Sequence, residues 1–548
     1  MPLQKNQVFT LRVERLSSDG SGVAHSPDGE TVFIPGAAPG DEARVRIVKD
    51  CKRYAFGILD EVLTPSPDRI PVDCAVAGPC GGCSLRHLDY AAELRAKQEN
   101  VADAFARIGG LDVPVLPIVG SPEVNRYRNK VQFPVGVDKS GKPCIGFYAG
   151  RTHRIVPCPD CRLQPGVLNE IGNALCAFFA EKGIQPYSEE TGRGLVRHIF
   201  LRRGAHSGQI MVCLVCTRAK LPSAEELCTR LKAQFAEITT ILLNVNAKNT
   251  NVILGTETHT LYGQGYIEDT LCGVPVQLGP LSFYQVNTLA AEQLYGIAAQ
   301  YAQLTPDDLL LDLYCGMGTI GLSMAAHCRE LIGVEIVPEA IESAKANAAR
   351  MGADVAAKSR FFCADAGQAA TRLAAEGLHP DIVMLDPPRK GCDEATLSAV
   401  VRMSPRRVVY VSCNPATAAR DAAWLEQNGY HAEKVQPVDL FPRTRHCEAV
   451  LLLTKLHVER HIEVDVSMDE LDVTAAESKA TYNEIRDYVW EHHQLKVSNL
   501  YIAQVKQKYG IIERENYHKA KNENAKQPQC PKEKEDAIVE ALKHFQMI

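Results

Sequence analysis

The first 64 residues alternate apolar and polar positions in short segments, with the period of two that half-buried β-strands show. Turn residues separate these segments at Asp19–Gly22 and Gly36–Gly40. Short strands joined by such turns predict a small antiparallel barrel of the OB type, and barrels of this type often bind nucleic acid. The predicted strands are Val8–Val13, Thr31–Ile34, Glu42–Ile47 and Tyr54–Val62.

The pattern changes after the linker Pro65–Asp68. Mixed strand and helix signals over residues 116–270 predict an α+β domain. Over residues 285–455, apolar strand segments alternate with helical segments, as a doubly wound parallel sheet of the α/β class requires.

Beyond residue 456 only helical periodicity is present, and it predicts helices at Ala476–His492, Ser498–Tyr509 and up to Ile548, with a polar run at 522–526. This small helical extension carries no recognisable chemistry. The predicted domains are residues 1–64, 65–280, 281–456 and 457–548.

Composition and charge narrow the choice of function only slightly. The 548 residues contain no apolar run of about 18 residues, and the amino terminus lacks a signal-peptide layout, so we expect a cytoplasmic protein without a membrane partner. The net charge of −6 and the eight basic against nine acidic residues over 1–63 give no general nucleic-acid footprint. Basic residues of the middle domain are grouped and predict a local phosphate-binding surface; they are Arg126, Arg128, Lys130, Arg151, His153, Arg154, Arg197, Arg202 and Arg203.

A nucleotide-like cofactor site is indicated by three consecutive strands. The first, Leu309–Leu313, leads into a glycine turn that allows close backbone approach to a ligand. The second ends at Glu335, whose carboxylate can accept both ribose hydroxyls. The third is followed by Asp365, placed for an adenine amino group. The full dinucleotide fingerprint is missing, so the pattern resembles class I S-adenosylmethionine-dependent methyltransferases more than dehydrogenases.

Two further strand ends carry groups that fit covalent catalysis. Cys413 follows the apolar strand Val408–Val411, and Asp386 follows Ile382–Leu385 and precedes two prolines. One reaction that needs a cysteine beside a methyl donor is methylation of carbon 5 of uracil. This carbon is a poor nucleophile, and addition of a thiolate at carbon 6 activates it. The reaction then needs a base for the carbon 5 proton, and Glu448, which opens a later apolar strand, is the candidate.

Five motifs together resemble the RNA uracil-5 methyltransferase family: Phe283–Asn287, Asp312–Gly318, Asp386–Arg389, Ser412–Pro415 and Asp439–Glu448. The resemblance implies that Cys413 is the nucleophile and Glu448 the base. It also implies S-adenosylmethionine contacts from Gln285, Tyr314, Glu335, Asp386, Thr319 and Asp365. The barrel is similar to the TRAM domain of the branch that acts on ribosomal RNA, which implies RNA binding.

A cysteine cluster lies near the start of the predicted domain 65–280. Cys74, Cys80 and Cys83 have the spacing C-x5-C-x2-C, which suits either zinc or an iron–sulfur cluster. The fourth ligand would be Cys158 or Cys161. Resemblance to family members with a 4Fe-4S cluster favours iron and Cys161, with a role in shaping the RNA-facing domain.

We therefore predict a monomeric enzyme that makes 5-methyluridine in structured RNA, with 23S ribosomal RNA as the favoured substrate. A transfer RNA uridine is the main alternative within the same chemistry. A catalytically silent RNA-binding or ribosome-assembly protein is the alternative from another class, and intact Cys413 and Glu448 argue against it. Methylation of cytosine carbon 5 also uses a cysteine, and the Glu448 segment favours uracil.

Overall fold

The computed structural model describes residues 3–150, 152–248, 250–456, 482–509, 530–545 and 547–548. The chain forms two compact units, residues 1–457 and 458–548. Within the described ranges, no helix combines the length and apolar character needed to cross a membrane.

The amino-terminal domain consists of short strands as predicted, but the prediction of a wholly antiparallel arrangement was wrong, because Thr31–Phe33 pair in parallel with Tyr54–Phe56. Its strands are β1 (Val8–Arg12), β2 (Arg15–Leu16), β3 (Ser21–His25), β4 (Thr31–Pro35), β5 (Glu42–Asp50) and β6 (Tyr54–Thr64), in the order β1-β5-β6-β4-β3-β2. The prediction was wrong for Ser21 and Gly22, which belong to β3 rather than to a turn. A Cβ on Gly22 would lie 2.8 Å from Val13 Cγ1, so this glycine permits close packing against a neighbouring segment.

The segment after the barrel packs against the sheet formed by residues 309–455, which is called the catalytic sheet below. Helix α1 (Tyr90–Ala104) begins where Asp89 caps the amide of Ala92 at 2.7 Å. Downstream of α1, the amide of Leu116 donates to the carbonyl of Val435 at 2.8 Å. This part of the predicted middle domain therefore braces the catalytic sheet directly.

The middle domain is an α+β layer. It contains β7 (Lys130–Val137), β8 (Pro143–Tyr148), β9 (Ile155–Pro157), α2 (Gly166–Glu181), β10 (Val196–Arg203), β11 (Ile210–Cys216), α3 (Ala224–Gln234), β12 (Ile238–Val245) and β13 (Glu257–Tyr262). The sheet order is β13-β12-β11-β10-β7-β8-β9, and a hairpin of β14 (Ile267–Leu271) and β15 (Val274–Leu278) follows.

The catalytic domain is the predicted doubly wound sheet. It contains α4 (Thr288–Ala302), β16 (Leu309–Leu313), α5 (Thr319–Met324), β17 (Glu330–Glu335), α6 (Pro338–Met351), α7 (Ala353–Lys358), β18 (Ser359–Cys363), α8 (Ala366–Ala375), β19 (Ile382–Leu385), α9 (Glu394–Met403), β20 (Arg407–Ser412), α10 (Pro415–Gln427), β21 (Tyr430–Val438) and β22 (Glu448–Lys455). The sheet order is β18-β17-β16-β19-β20-β22-β21. The first five of these strands are parallel, and β22 is antiparallel to both of its neighbours.

The second unit contains the predicted helical extension: α11 (Tyr482–His493), α12 (Asn499–Lys508) and α13 (Lys532–His544), which share a small core around Ile485, Ile502 and Ile538. The predicted start of the first helix at 476–481, the polar run at 522–526 and Arg151 lie outside the described residues.

A buried ionic network fixes α1 to the segment between β21 and β22. The ammonium of Lys97, only 1% exposed, donates to Glu93 Oε1 and Asp439 Oδ1, both at 2.7 Å. Glu93 Oε1 also accepts the amide of Arg443 at 2.7 Å, and Asp439 Oδ2 accepts the hydroxyl of Tyr90 at 3.0 Å. Burial acts to lower the pKa of Lys97, but the two carboxylates outweigh it and raise the pKa.

Removing the cation from this network should destabilise the first unit strongly. We expect Lys97→Ala to cost about 3–5 kcal/mol, because it leaves two buried carboxylates without their partner. Urea unfolding followed by circular dichroism measures this cost. Lys345→Ala is the control, since the side chains of Lys345 and its partner Glu342 are 53% and 72% exposed. Equal stability of the two variants would contradict the role assigned to Lys97.

Candidate active site

The predicted site residues meet at one edge of the catalytic sheet. Tyr314, Asp386 and Cys413 directly follow β16, β19 and β20, and Glu335 is the last residue of β17. Carboxyl ends of parallel strands share one edge, where ligands bind in open α/β sheets. Because β22 runs in the opposite direction, its first residue, Glu448, reaches the same edge.

Cys413 lies on a tight turn between β20 and α10. The side chain of Asn414 caps α10 by accepting the amide of Ala416 at 3.2 Å, and Pro415 takes the first helical position, which suits its fixed backbone angle. Ser412 Oγ donates to the carbonyl of Asn414 at 3.0 Å. Asn414 Nδ2 also donates to the carbonyl of Arg389 at 3.0 Å. The turn is therefore tied to the loop that follows Asp386.

The strand register places Glu448 opposite Cys413. Ser412 pairs with Ala449 in the antiparallel ladder of β20 and β22. This is the last pair of the ladder, and the next residues beyond it are Cys413 on one strand and Glu448 on the other. The same register continued by one position therefore sets these two residues opposite each other. Glu448 is only 5% exposed.

The electrostatics show that these groups lie in one low-dielectric environment. Burial raises the pKa of Asp386 to about 7. Burial, followed by the charge of Asp386, raises the pKa of Glu448 to about 8, against the opposing effect of Arg389. Burial, Glu448 and Asp386 raise the pKa of the Cys413 thiol, and Arg389 again opposes the shift. The site therefore holds a thiol and two carboxyl groups whose charged forms a bound cation would stabilise.

The glycine turn after β16 lies at the carboxyl ends of the parallel strands, where the cofactor site is predicted. Tyr314 and Gly316 have φ angles of 67° and 56°, in the left-handed region. The amide of Gly316 donates to Glu335 Oε2 at 3.1 Å, which joins the turn to the end of β17. Asp312 Oδ2 accepts the amide of Gly321 at 3.0 Å, and burial is the main cause that raises the pKa of Asp312 to about 8.

The remaining predicted cofactor residues occupy different positions around this edge. Thr319 begins α5, and its hydroxyl lies 3.4 Å from the hydroxyl of Tyr295. Asp365 caps α8 through the amide of Gln368 at 3.1 Å. Gln285 lies in the loop before α4, where its carbonyl accepts Asn129 Nδ2 at 2.7 Å. Thr319 and Asp365 thus lie just beyond the carboxyl ends of β16 and β18, whereas Gln285 lies outside these strand ends, and the cofactor contacts of all three stay a prediction.

Some functional candidates were missed from the sequence. Arg389 influences both Cys413 and Glu448 as the nearby cation, and its place directly after Asp386 and two prolines was the available signal. His446 lies in a strongly basic environment: burial, followed by Arg389, Arg445 and other cations, lowers its pKa to about 4.

Two arginines of the predicted phosphate-binding surface are instead structural. Arg197 and Arg202 are buried, and their guanidinium groups donate to backbone carbonyls at 2.6–3.0 Å. Alternation of strand residues alone does not show that a basic side chain points inward.

The cysteine cluster surrounds a separate cavity of about 120 Å³. Its lining includes the predicted ligands Cys74, Cys80, Cys83 and Cys161, together with Cys158. The backbone carbonyl of Cys161 accepts the guanidinium of Arg126 at 2.8 Å. Among the described residues, no group of three or more His, Cys, Asp or Glu side chains has an arrangement suited to one metal ion.

Buried cations also line this cavity. Arg86, 3% exposed, donates to Asp73 Oδ1 at 2.7 Å, while its Nε and Nη2 have no hydrogen-bond partner in the described structure. Arg128 is a second lining residue, and its Nε is likewise unpartnered. Thiols and unpartnered guanidinium nitrogens together suit an anionic group bound by cysteine sulfur.

Comparison with known families gives two matches along the chain. Residues 206–456 match the family described as tRNA (uracil-5-)-methyltransferase, and residues 2–59 match the TRAM domain. An uncharacterized RNA methyltransferase of Halalkalibacterium halodurans is 43% identical, over 82% of this chain and 98% of its own length. Another from Clostridium tetani is 40% identical, over 83% and 98%.

A solved structure extends the comparison to three dimensions. The tRNA (uracil-54, C5)-methyltransferase of Pyrococcus abyssi, in complex with S-adenosyl-L-homocysteine, superimposes with a TM-score of 0.65 at 27% identity. The similarity covers 82% of this chain and 100% of the archaeal chain.

Replacing Glu448 with glutamine should speed alkylation of Cys413 at alkaline pH. With a pKa of about 8, Glu448 is charged above pH 8 and there raises the pKa of the neighbouring thiol. At pH 9 the variant should therefore react faster with iodoacetamide, and near pH 6 the difference should shrink. Peptide mass spectrometry reports the rate at Cys413, and Glu376→Gln, at an exposed site, is the control. Equal rates at pH 9 would contradict the proximity of the two groups.

Proposed function

Since the chain belongs to the RNA (uracil-5-)-methyltransferase family, as its motifs predicted, we propose that it forms 5-methyluridine through a covalent adduct between Cys413 and the target base. The observation that supports the proposal is the pairing of β20 with β22, because its last pair, Ser412 with Ala449, is directly adjacent to Cys413 on one strand and to Glu448 on the other. S-adenosylmethionine, the methyl donor in this family, would supply the methyl group as a sulfonium electrophile.

Each catalytic residue has one chemical task in this mechanism. The Cys413 thiolate adds to carbon 6 of uracil, and the electron pair of the 5,6 double bond moves toward the carbonyl at carbon 4. Carbon 5 of the resulting enolate attacks the methyl group, whose bond to the sulfonium sulfur breaks, and the sulfur leaves as a neutral thioether. The Glu448 carboxylate then takes the proton from carbon 5, the double bond re-forms, and the thiolate leaves.

The environment of Glu448 suits a base that acts after methyl transfer. Its pKa of about 8 reflects burial and the charge of Asp386. A bound cationic donor would lower the pKa values of these carboxylates and keep them ionised, and loss of its charge would raise the pKa of Glu448 again. Glu448 would then be a stronger base at the stage when carbon 5 must lose its proton.

The favoured substrate is 23S ribosomal RNA, and the TRAM domain at residues 2–59 supports RNA as the partner. The basic surroundings of His446, which include Arg128, Arg389 and Arg445, support contact with an RNA backbone near the active site. A transfer RNA uridine is the second candidate, and the transfer RNA enzyme of Pyrococcus abyssi favours it.

We also propose that the cysteine-lined cavity holds a 4Fe-4S cluster. Cys74, Cys80, Cys83 and Cys161 would bind it, and each thiolate of such a cluster binds its own iron, so the ligands surround a cavity. When bound, the cluster would act as a structural crosslink between the segment at 74–83 and the loop around Cys161. The amide of Arg126 donates to the carbonyl of Arg162 at 2.8 Å, so this loop supports the start of the middle domain.

Two variants separate the catalytic roles of the nucleophile and the base. Cys413→Ala should abolish both methyl transfer and covalent trapping by RNA containing 5-fluorouridine. Glu448→Gln should reduce turnover by at least about 100-fold, the usual contribution of a general base, while still forming the covalent adduct with uridine RNA. Denaturing gels with labelled RNA measure the adduct. Turnover by Cys413→Ala would refute the mechanism, and an inactive Glu448→Gln without adduct would refute its role as base.

Iron analysis tests the proposed cluster. Anaerobically purified protein should contain about four iron atoms per chain and show a broad visible absorbance. Cys161→Ser should lose both signals, whereas Cys158→Ser should retain the iron. Stoichiometric zinc in the wild-type protein would overturn the cluster, and iron loss only in Cys158→Ser would reassign the fourth ligand.

A further inference from the structure

A second cavity lies between the middle domain and the start of α4 in the catalytic domain. Its volume is about 100 Å³, and its lining includes Tyr127, Asn129, Arg203 and the first residues of α4. Tyr127 donates its hydroxyl to the carbonyl of Pro442 at 2.9 Å, within the motif that leads to Glu448. The cavity is therefore flanked by the Gln285 loop on one side and the Glu448 segment on the other.

Asn129, one of the residues that line this cavity, has a buried acceptor without a partner. The residue is 5% exposed, and its Nδ2 donates to the carbonyl of Gln285 at 2.7 Å and to Thr288 Oγ1 at 2.9 Å. Because a backbone carbonyl can only accept, these contacts fix the orientation of the amide. Asn129 Oδ1 has no hydrogen-bond partner among the described residues. A buried carbonyl without a donor is energetically unfavourable, so a ligand that donates a hydrogen bond to this oxygen would gain binding energy.

The same cavity also favours negative charge. Asn287 caps α4 by accepting the amide of Ala290 at 3.3 Å, and the helix itself provides no acceptor for the amides of Thr288 and Leu289. Arg203, the last residue of β10, adds a guanidinium group at the rim. The neighbouring Arg126 is engaged with the carbonyls of the Cys161 loop, so Arg203 is the cation better placed to meet a ligand.

We propose that this cavity binds one ribose-phosphate unit of the substrate RNA, next to the target uridine. The ribose 2′-hydroxyl donates to Asn129 Oδ1, and the phosphodiester contacts Arg203 and the amides that begin α4. A 2′-hydroxyl is the group that distinguishes RNA from DNA, so Asn129 becomes a determinant of specificity for RNA. This inference rests on the proposed function, because it names how the same active site holds its substrate.

Salt-dependent binding tests the phosphate contact. The probe is the unmodified transcript of 23S ribosomal RNA or transfer RNA that the wild-type protein methylates. Arg203→Ala should weaken binding and reduce the slope of log affinity against log salt by about one, the value for one lost phosphate contact. Arg203→Lys should restore the slope. Arg218→Ala removes an exposed arginine of the same domain and should leave the slope unchanged.

Single-atom changes in the RNA test the ribose contact. Substrates carry one 2′-deoxy nucleotide at each position flanking the target uridine. At one of these positions, the 2′-deoxy substitution should lower kcat/KM of the wild-type protein by about 5- to 10-fold, as expected for the loss of one hydrogen bond. The same substitution should have no further effect on Asn129→Ser. Because Asn129 also binds the backbone of Gln285, thermal unfolding of Asn129→Ser checks that the variant is folded. Arg203→Ala tests RNA binding in the same cavity independently of Asn129.

The outcomes separate this inference from the proposed function. If the wild-type protein methylates neither RNA at uridine, the proposed function fails. If methylation occurs but Arg203→Ala matches Arg218→Ala in salt slope, the phosphate contact is refuted. If methylation occurs and every flanking position tolerates a 2′-deoxy nucleotide, the ribose contact is refuted.

Discussion

The antiparallel pairing of β22 with β20 is the constraint on which the active site depends. A sheet made only of parallel strands would bring the carboxyl ends of its strands to one edge and send the start of each strand to the other. Reversal of one strand brings Glu448, the first residue of β22, to the edge where Cys413 and Asp386 lie. The backbone ladder ends directly before the proposed nucleophile and base and so holds them close together, and such a ladder is less adaptable than side-chain contacts.

A second constraint holds the segment that leads into β22. Lys97 binds Glu93 and Asp439 in a buried network, and the amide of Arg443 donates to the same glutamate. Helix α1 thereby fixes the course of the chain between β21 and β22. Asn129, which directly precedes β7, connects the middle domain to the Gln285 loop. The segments between the barrel and the carboxyl-terminal sheet therefore support two parts of the proposed site: the Gln285 loop through Asn129, and the segment before Glu448 through α1.

Much of this arrangement could be predicted because it is encoded locally. Apolar runs ending in Asp386 or Cys413 identify strands and their ends, and Asn414 with Pro415 predicts the start of a helix. The motifs also predicted the family and the fold, and the comparisons confirm both. The role of Ser21 and Gly22 could not be read in this way, because a glycine that permits close packing looks the same in sequence as a glycine in a turn.

The rest depends on contacts between residues far apart in the chain. Lys97 and Asp439 are separated by 342 positions, and neither carries a local signal that the other is its partner. Burial of Arg197 and Arg202 was likewise hidden, because their carbonyl partners come from other segments. The unsatisfied Oδ1 of Asn129 is visible only once the partners of its amide nitrogen are known. Local sequence thus predicted the strand ends and the family, whereas the contacts between distant segments that hold these strand ends in place became visible only in the structure.

The most direct test of the central claim follows the proton on carbon 5. RNA labelled with tritium at carbon 5 of uridine should release one tritium into water for each methyl group transferred. RNA labelled at carbon 5 of cytidine should release none. Methyl transfer with retention of the uridine label, or release from cytidine, would contradict the account of Cys413 and Glu448 as the pair that substitutes carbon 5 of uracil.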